Sequence, residues 1–214
     1  MFQIRTSGVT NDIISLFMNQ TKIVEEIEKF VENACKKDSN YYGYSAWTHH
    51  IAVVYKFAKQ LAKKLNADEE IVGIAALLHD YASIYDKKLY PEHHLHGAVL
   101  AKKLLTKYDY PTEKIEHVKE CILTHRGSKS MKRNSIEAEI LASSDAMAHI
   151  ASIDSVFYLA YVIHGMGVNE GTKWVLGKVE RGWKKLMPEA KEIIKPQYMA
   201  IKESFKNNGN FSTF

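Results

Sequence analysis

Cysteine is scarce in this chain. The 214 residues hold only Cys35 and Cys121, so no disulfide framework can staple the fold, and a reducing compartment is expected. Glycine at 11 and proline at 4 are too few for a collagen-like repeat or a low-complexity linker. Long hydrophobic runs are missing too. The longest, Ile71–Leu78 and Val156–Ile163, have eight residues each, whereas a membrane-spanning helix needs about 20. The opening stretch MFQIRTSGVTNDIISLF lacks a basic start, an apolar centre and a small-residue cleavage site. A cytoplasmic protein with no membrane partner is the expectation. A one-sided charge is also lacking: 29 Lys and Arg face 25 Asp and Glu, a net of +4, too little for an extended nucleic-acid surface. What is present, 46% apolar and 25% charged residues, is ordinary globular composition of single-domain length.

Helical periodicity dominates the rest, without repeats or convincing strand alternation. Ile23, Val24, Ile27, Phe30, Val31 and Ala34 form one stripe after Thr21, a fitting N-cap. Ser45 is expected to cap a second helix carrying Ile51, Val54, Phe57, Ala58, Leu61 and Leu65 inward, and Asp68 a third that ends near His79. Pro91 opens a segment with Ala98, Ala101, Leu104 and Leu105 inward, and Pro111 and Thr112 open another that reaches His125. Asn134 and Glu137 have capping-box spacing before a helix through Ile140, Leu141 and Ala148. Further helices are expected over 152–164, 171–186 and 188–206, with Pro188 in a first turn and Pro196 producing a kink. The prediction is an all-α bundle: an arm at 1–20, a single helical domain at 21–206 and a tail at 207–214.

Ten histidines make position the deciding question. His79 and Asp80 adjoin at the end of the apolar run AALLHDYA. A carboxylate beside a buried stretch needs a partner, and a divalent metal is one. Imidazole nitrogen and carboxylate oxygen together suit Zn, Mn, Fe, Co or Ni. Adjacent residues can reach one ion where a helix is unwinding. Alone, such a pair is a weak signal. His50 opens HHIAVVYKFAKQLA, Asp145 lies in EAEILASSDAMAHI, and His93 and His125 fall between them in PEHHLHGAVLAKKLL and HVKECILTHRG.

With these residues the sequence resembles the HD superfamily of metal-dependent phosphohydrolases, over about 46–150. His50 with Ala58, Leu61 and Ala62 looks like the family's first His and the helix that follows it. His79-Asp80 looks like the eponymous pair, and Asp145 like the closing Asp. His93 stands four residues before Gly97-Ala98 and His125 ends an apolar helix, as in members that hold two metals; His94 and His96 compete with His93 within one turn. The resemblance implies an HD-domain helical bundle with flanking helices at 152–206. It also implies one or two divalent ions held by His50, His79, Asp80, His93, His125 and Asp145. The chain departs from common members at 81–83, which is Tyr-Ala-Ser rather than Ile-Gly-Lys, at 84–85, which is Ile-Tyr rather than Glu-Asp, and at Val53, where an Arg is often found. A Gly-Tyr-Pro signature is absent after His125. The substrate is therefore not assigned by motif.

Such ions would bring the pKa of bound water toward about 7 and polarise a phosphoryl oxygen, and Asp80 could bridge two of them. A phosphate ester also calls for charge neutralisation. Arg126, Lys129, Lys132 and Arg133 follow His125 with no acid among them, and Lys87 and Lys88 follow the His-Asp pair. Asp86 is a candidate general acid or base, and Arg126 a candidate catalytic cation. The expected partner is a small anionic phosphate compound, a nucleotide by preference. Two alternatives use the same ligands: a di-iron oxygenase of the superfamily, and a non-catalytic metal- or nucleotide-binding regulatory module. His149, one turn from Asp145, could orient it. Trp174 and Trp183 are expected in the core or an interface, and the run Tyr41-Tyr42-Gly43-Tyr44 in a structural loop.

Overall fold

The computed structural model describes residues 22–126 and 131–206. The expected arm, the tail and Lys129 lie outside them. Among the described residues there is no strand. Helix α1 covers 22–35. A π-helical turn, Trp47–Ile51, runs directly into α2 (Ala52–Leu65). Then come α3 (Glu69–Leu78), the short α4 (Tyr81–Tyr85) and a 3-10 turn, Lys87–Glu92, that leads into α5 (His93–Lys107). Helices α6 (Thr112–Thr124) and α7 (Ile136–Ala151) complete the centre. Helix α8 (Ile153–Tyr158) continues as a second π turn, Leu159–Ile163, before α9 (Val168–Lys185) and α10 (Pro188–Phe205).

The central helix is α3. Every residue from Ile71 to Leu78 is buried, because α2, α6 and α7 all pack against it. This explains why its apolar run has no polar face. Helix α5 lies along α6, and α9 and α10 lie against α7. Gly97 permits the close approach of α5 to the end of α3. A Cβ there would stand 3.3 Å from the His79 carbonyl oxygen and 3.2 Å from Ile122 Cγ2. Both cysteines are free and buried. Among the described residues no single helix is long and apolar enough to cross a membrane.

Several helix ends follow their local chemistry. Asp68 caps α3 by accepting from the backbone N–H groups of Glu70 and Ile71, each at 3.0 Å. Pro188 occupies the first turn of α10, which remains one helix across Pro196. His164 closes the second π turn, and Gly165 takes the left-handed φ of 65° that reverses the chain.

Two caps differ from expectation. Ser45 lies inside the first turn of its helix, where its hydroxyl donates to the Tyr42 carbonyl at 3.1 Å. The cap of α7 is Ser135, whose hydroxyl accepts from the Ala138 N–H at 3.2 Å, rather than Asn134. Glu137 does not close a capping box. It accepts from the Asp68 N–H at 3.0 Å and lies 3.3 Å from His117 Nε2, which ties α7 to the start of α3. His117 is consequently half-buried.

Candidate metal centre

Four kinds of local structure deliver the side chains. His50 sits in the first π turn, where an extra residue widens the helix; such bulges often occur at functional sites. His79 ends α3, and Asp80 breaks the chain between α3 and α4 with φ −106° and ψ 4°. That break is the unwinding which lets neighbours in sequence point at one place. His93 is the first residue of α5, and His125 follows the last residue of α6. Asp145 and His149 are one turn apart within α7.

The six expected ligands converge. His50 Nε2 lies 3.1 Å from His79 Nε2, 3.2 Å from Asp80 Oδ2 and 3.5 Å from Asp145 Oδ1. Asp80 Oδ1 lies 3.4 Å from His93 Nε2, which is 3.2 Å from His125 Nε2. His50, His79 and Asp80 form one potential donor group, and Asp80, His93 and His125 another. Asp80 belongs to both. His93 is thereby selected over its neighbours: His94 is buried with Nε2 3.6 Å from Glu92, and His96 is exposed. His49 is exposed and pairs with Thr48 and Asp154.

The second ring nitrogens explain the orientation. His79 Nδ1–H donates to the Ala76 carbonyl at 2.7 Å, His93 Nδ1–H to Tyr90 at 2.8 Å and His125 Nδ1–H to Ile122 at 2.6 Å. Each bond leaves the Nε2 lone pair facing the cluster. Burial lowers the pKa of His79, and that of His125 to about 3, so both stay neutral. Neutral imidazole is the metal-binding form. Burial opposes charge on Asp80 as well, yet His79, His93 and His50 outweigh it and hold the carboxyl well below its usual range. Burial likewise opposes charge on Asp145, and His149 and His50 overcome it. For His50 burial acts downward, but the Asp80 and Asp145 carboxylates win and raise its pKa. With both Nδ1 atoms donating to carbonyls, the His93 and His125 Nε2 atoms at 3.2 Å are held close only by a shared proton or by a metal ion between them. The donor set therefore fits divalent metal ions of the N/O-preferring kind.

His149 completes the cluster. Its Nε2 is 3.2 Å from Asp145 Oδ1, and its ring stacks on His50 with centroids 4.8 Å apart.

The cluster lies in the wall of a cavity of about 360 Å³. Arg126 and Arg133 line it. Arg126 Nη1 donates to the Pro91 carbonyl, and Arg133 Nε donates to the Thr124 carbonyl at 3.1 Å. Lys132 is exposed and does not line the cavity. Neither do Lys87 and Asp86: the Lys87 ammonium lies 3.9 Å over the Tyr41 ring, and Asp86 accepts from the Lys88 N–H at 2.9 Å. Sequence reasoning missed Lys178, Arg181 and Lys185, which line the cavity from α9 together with Trp174. Their signal was a helical spacing of three and four, interrupted in sequence by Glu180. Tyr42, Tyr90 and Tyr158 supply further aromatic lining.

The chain is similar in fold to several solved structures. Bacillus subtilis YpgQ in complex with ADP aligns at a TM-score of 0.68 and 18% identity, covering 89% of this chain and 95% of that one. The Lin1889 protein of Listeria innocua aligns at 0.66 and 17%, covering 88% and 94%. A predicted HD superfamily hydrolase from an uncultured Thermotogales bacterium aligns at 0.51 and 24%, covering 73% and 84%. No curated protein matches the sequence. Residues 47–149 match the HD domain family, and that segment contains His50, His79, Asp80, His93, His125, Asp145 and His149. The chain carries an HD domain over residues 47–149.

Proposed function

We propose that this protein is a metal-dependent phosphohydrolase acting on a nucleotide or another small phosphate ester. The observation that carries the reading is the convergence of His50, His79, Asp80, Asp145, His93 and His125 beside a cavity lined by cations. Divalent ions, if held there by these residues, would supply hydroxide near neutral pH and Lewis acidity toward phosphoryl oxygen. The chain's own groups do the rest. The carbonyls of Ala76, Tyr90 and Ile122 fix the tautomers of three ligands. His149 holds Asp145 in place. Arg126 and Lys178, near the ligand cluster, would neutralise phosphoryl oxygens as charge develops. The cavity volume, about 360 Å³, suits a small molecule and excludes a duplex. A fold neighbour solved with ADP supports the nucleotide preference.

The cation lining favours this reading over an oxygenase, whose substrate need not be anionic. Wild type and Asp80→Ala should be compared for bound metal and for phosphate release from a panel of nucleotides and phosphate esters, with Mn, Co, Ni, Mg and Fe. The wild type is expected to turn over at least one ester, and Asp80→Ala to lose both metal and turnover. Full activity in Asp80→Ala overturns the site. Oxygen consumption without phosphate release overturns the reaction class.

A further inference from the structure

We propose that Lys178, Arg181 and Lys185 of α9 form a cation row that selects substrates with two or more phosphates in series over a single phosphate monoester. The proposal rests on the phosphohydrolase reading and adds the chemistry that would decide between substrates. The row lies outside the segment that matches the HD domain, which ends at residue 149.

Register comes first. Trp174, Lys178, Arg181, Gly182 and Lys185 all line the cavity, the three-and-four spacing of one helix face. Seven residues of helix carry the row over about 10 Å at about 1.5 Å per residue. The small core of Val156, Ala160 and Val175, with Trp174 and Tyr161 packed on it, fixes that helix beside the cavity. Tyr161 and Thr172 hydroxyls add a 2.7 Å hydrogen bond between the second π turn and α9.

Charge comes second. The cavity wall carries Arg126, Arg133, Lys178, Arg181 and Lys185, Arg133 also pairs with Glu139 at 3.5 Å, and the lining carboxylates are Asp80 and Asp145. Both carboxylates belong to the candidate ligand groups, so bound ions would remove them as partners for the cations. Among the described residues Lys178, Arg181 and Lys185 form no salt bridge, and the Lys178 ammonium lies 5.7 Å over the Trp174 ring. Crowding like charges is unfavourable. A phosphate monoester of about −2 charge leaves part of that excess uncompensated, and each further phosphate reduces it.

Order along the row comes third. Lys178 is the inner member: it is partly buried where Arg181 and Lys185 are exposed, and burial lowers its pKa while Asp145 and Asp80 act to raise it and Arg181 and Arg126 add to the lowering. Lys185 is the outer member. Burial, then Arg133 and Arg181, lower its pKa, and no carboxylate contributes. Arg181 lies between them, its guanidinium folded over Gly177, where an added Cβ would stand 3.1 Å from Nη1. The inner tier, Lys178 with Arg126, faces the phosphate beside the ligand cluster. The outer tier, Arg181 and Lys185 with Arg133, faces phosphates farther along the chain.

Binding and turnover test separate parts of this. Calorimetric Kd values should be measured for AMP, ADP and ATP on manganese-loaded wild type and on Arg181→Ala, Lys185→Ala and the double variant. Thermal melts would verify folding, and phosphate and pyrophosphate release would be followed in parallel. Wild type is expected to bind more tightly as phosphates are added. The double variant should lose at least about tenfold for ATP while changing less than about twofold for AMP. Equal binding of AMP and ATP by the wild type, or equal losses for both in the variant, overturns the row. Length-dependent binding that the variant loses, with no ester cleaved by wild type, supports the row and overturns the phosphohydrolase reading instead.

Discussion

Among the single side chains, His149 has the role that is most open to measurement. It touches none of the His79, His93 and His125 donor atoms in a hydrogen bond, yet it stacks on His50 and faces Asp145 at 3.2 Å. Removing such a supporting group commonly weakens metal affinity or activity 10–100-fold, on the order seen for outer ligand partners. His149→Ala is therefore expected to weaken manganese binding by about tenfold or more, read by competition with a chelating dye, while the melting profile stays cooperative. Unchanged affinity would reduce His149 to a packing residue. The ligand types were legible in sequence because imidazole and carboxylate have few other reasons to gather at ends of apolar helices. The choice of His93 over His94 and His96 was not legible. It depends on the phase of the first turn of α5, which the Lys87–Glu92 turn sets and the Tyr90 carbonyl locks.

Among the elements, caps and close approaches decide how accurately the ligands meet. The Asn134 expectation failed because two overlapping patterns compete there. Ser135 takes the cap, and its hydroxyl also donates to Glu120 at 2.9 Å, while Glu137 serves Asp68 instead. Ser135→Ala should cost about 1 kcal/mol of stability, whereas Asn134→Ala should stay within about 0.5 kcal/mol. Urea denaturation of the two variants measures the contrast, and a reversed order would refute the assignment. Gly97 is more demanding. An added methyl meets the His79 carbonyl and Ile122 at 3.3 and 3.2 Å, so Gly97→Ala must push α5 away from the end of α3. A loss of about 1–3 kcal/mol is expected from such overpacking, together with weaker metal binding because His93 moves with α5. A variant as stable and as metal-competent as wild type would show that the helices are free to give. The helix positions were readable from periodicity. The π turn at His50 was not, because its buried residues, Trp47 and Ile51, are spaced as in an ordinary helical turn.

For the whole molecule, the cation distribution shows where linear reading ends. Counting charges along the chain places the surplus in the 126–133 loop. The folded cavity takes Arg126 and Arg133 from that region and three further cations from α9, about fifty residues later. No run of basic residues marks the second source, since Val179 and Glu180 interrupt it and only the helical turn brings 178, 181 and 185 to one face. The fold class, the order of helices and the His and Asp residues that converge were recoverable from local patterns. The α9 contribution was not, because it exists only once α9 packs on α7.

The sharing of Asp80 has a consequence for the order in which metal is taken up. The side of the cluster around His50 offers two carboxylates, Asp80 and Asp145, whereas the side around His93 and His125 has only the same Asp80. A first divalent ion on the His50 side would cancel both negative charges, and a second would find no unshared carboxylate and would meet the repulsion of the first. The two steps of a metal titration should thus be unequal and antagonistic, the later one strengthened when an anion is present to offset the accumulated charge. Calorimetric titration with manganese, with and without orthophosphate, is expected to show one tight step that orthophosphate leaves unaltered and one weak step that it tightens. Two equal, independent steps would show that Asp80 does not couple them. Under that antagonism a phosphate-bearing ligand is expected to favour the full complement of ions, so metal uptake and ligand binding would reinforce each other.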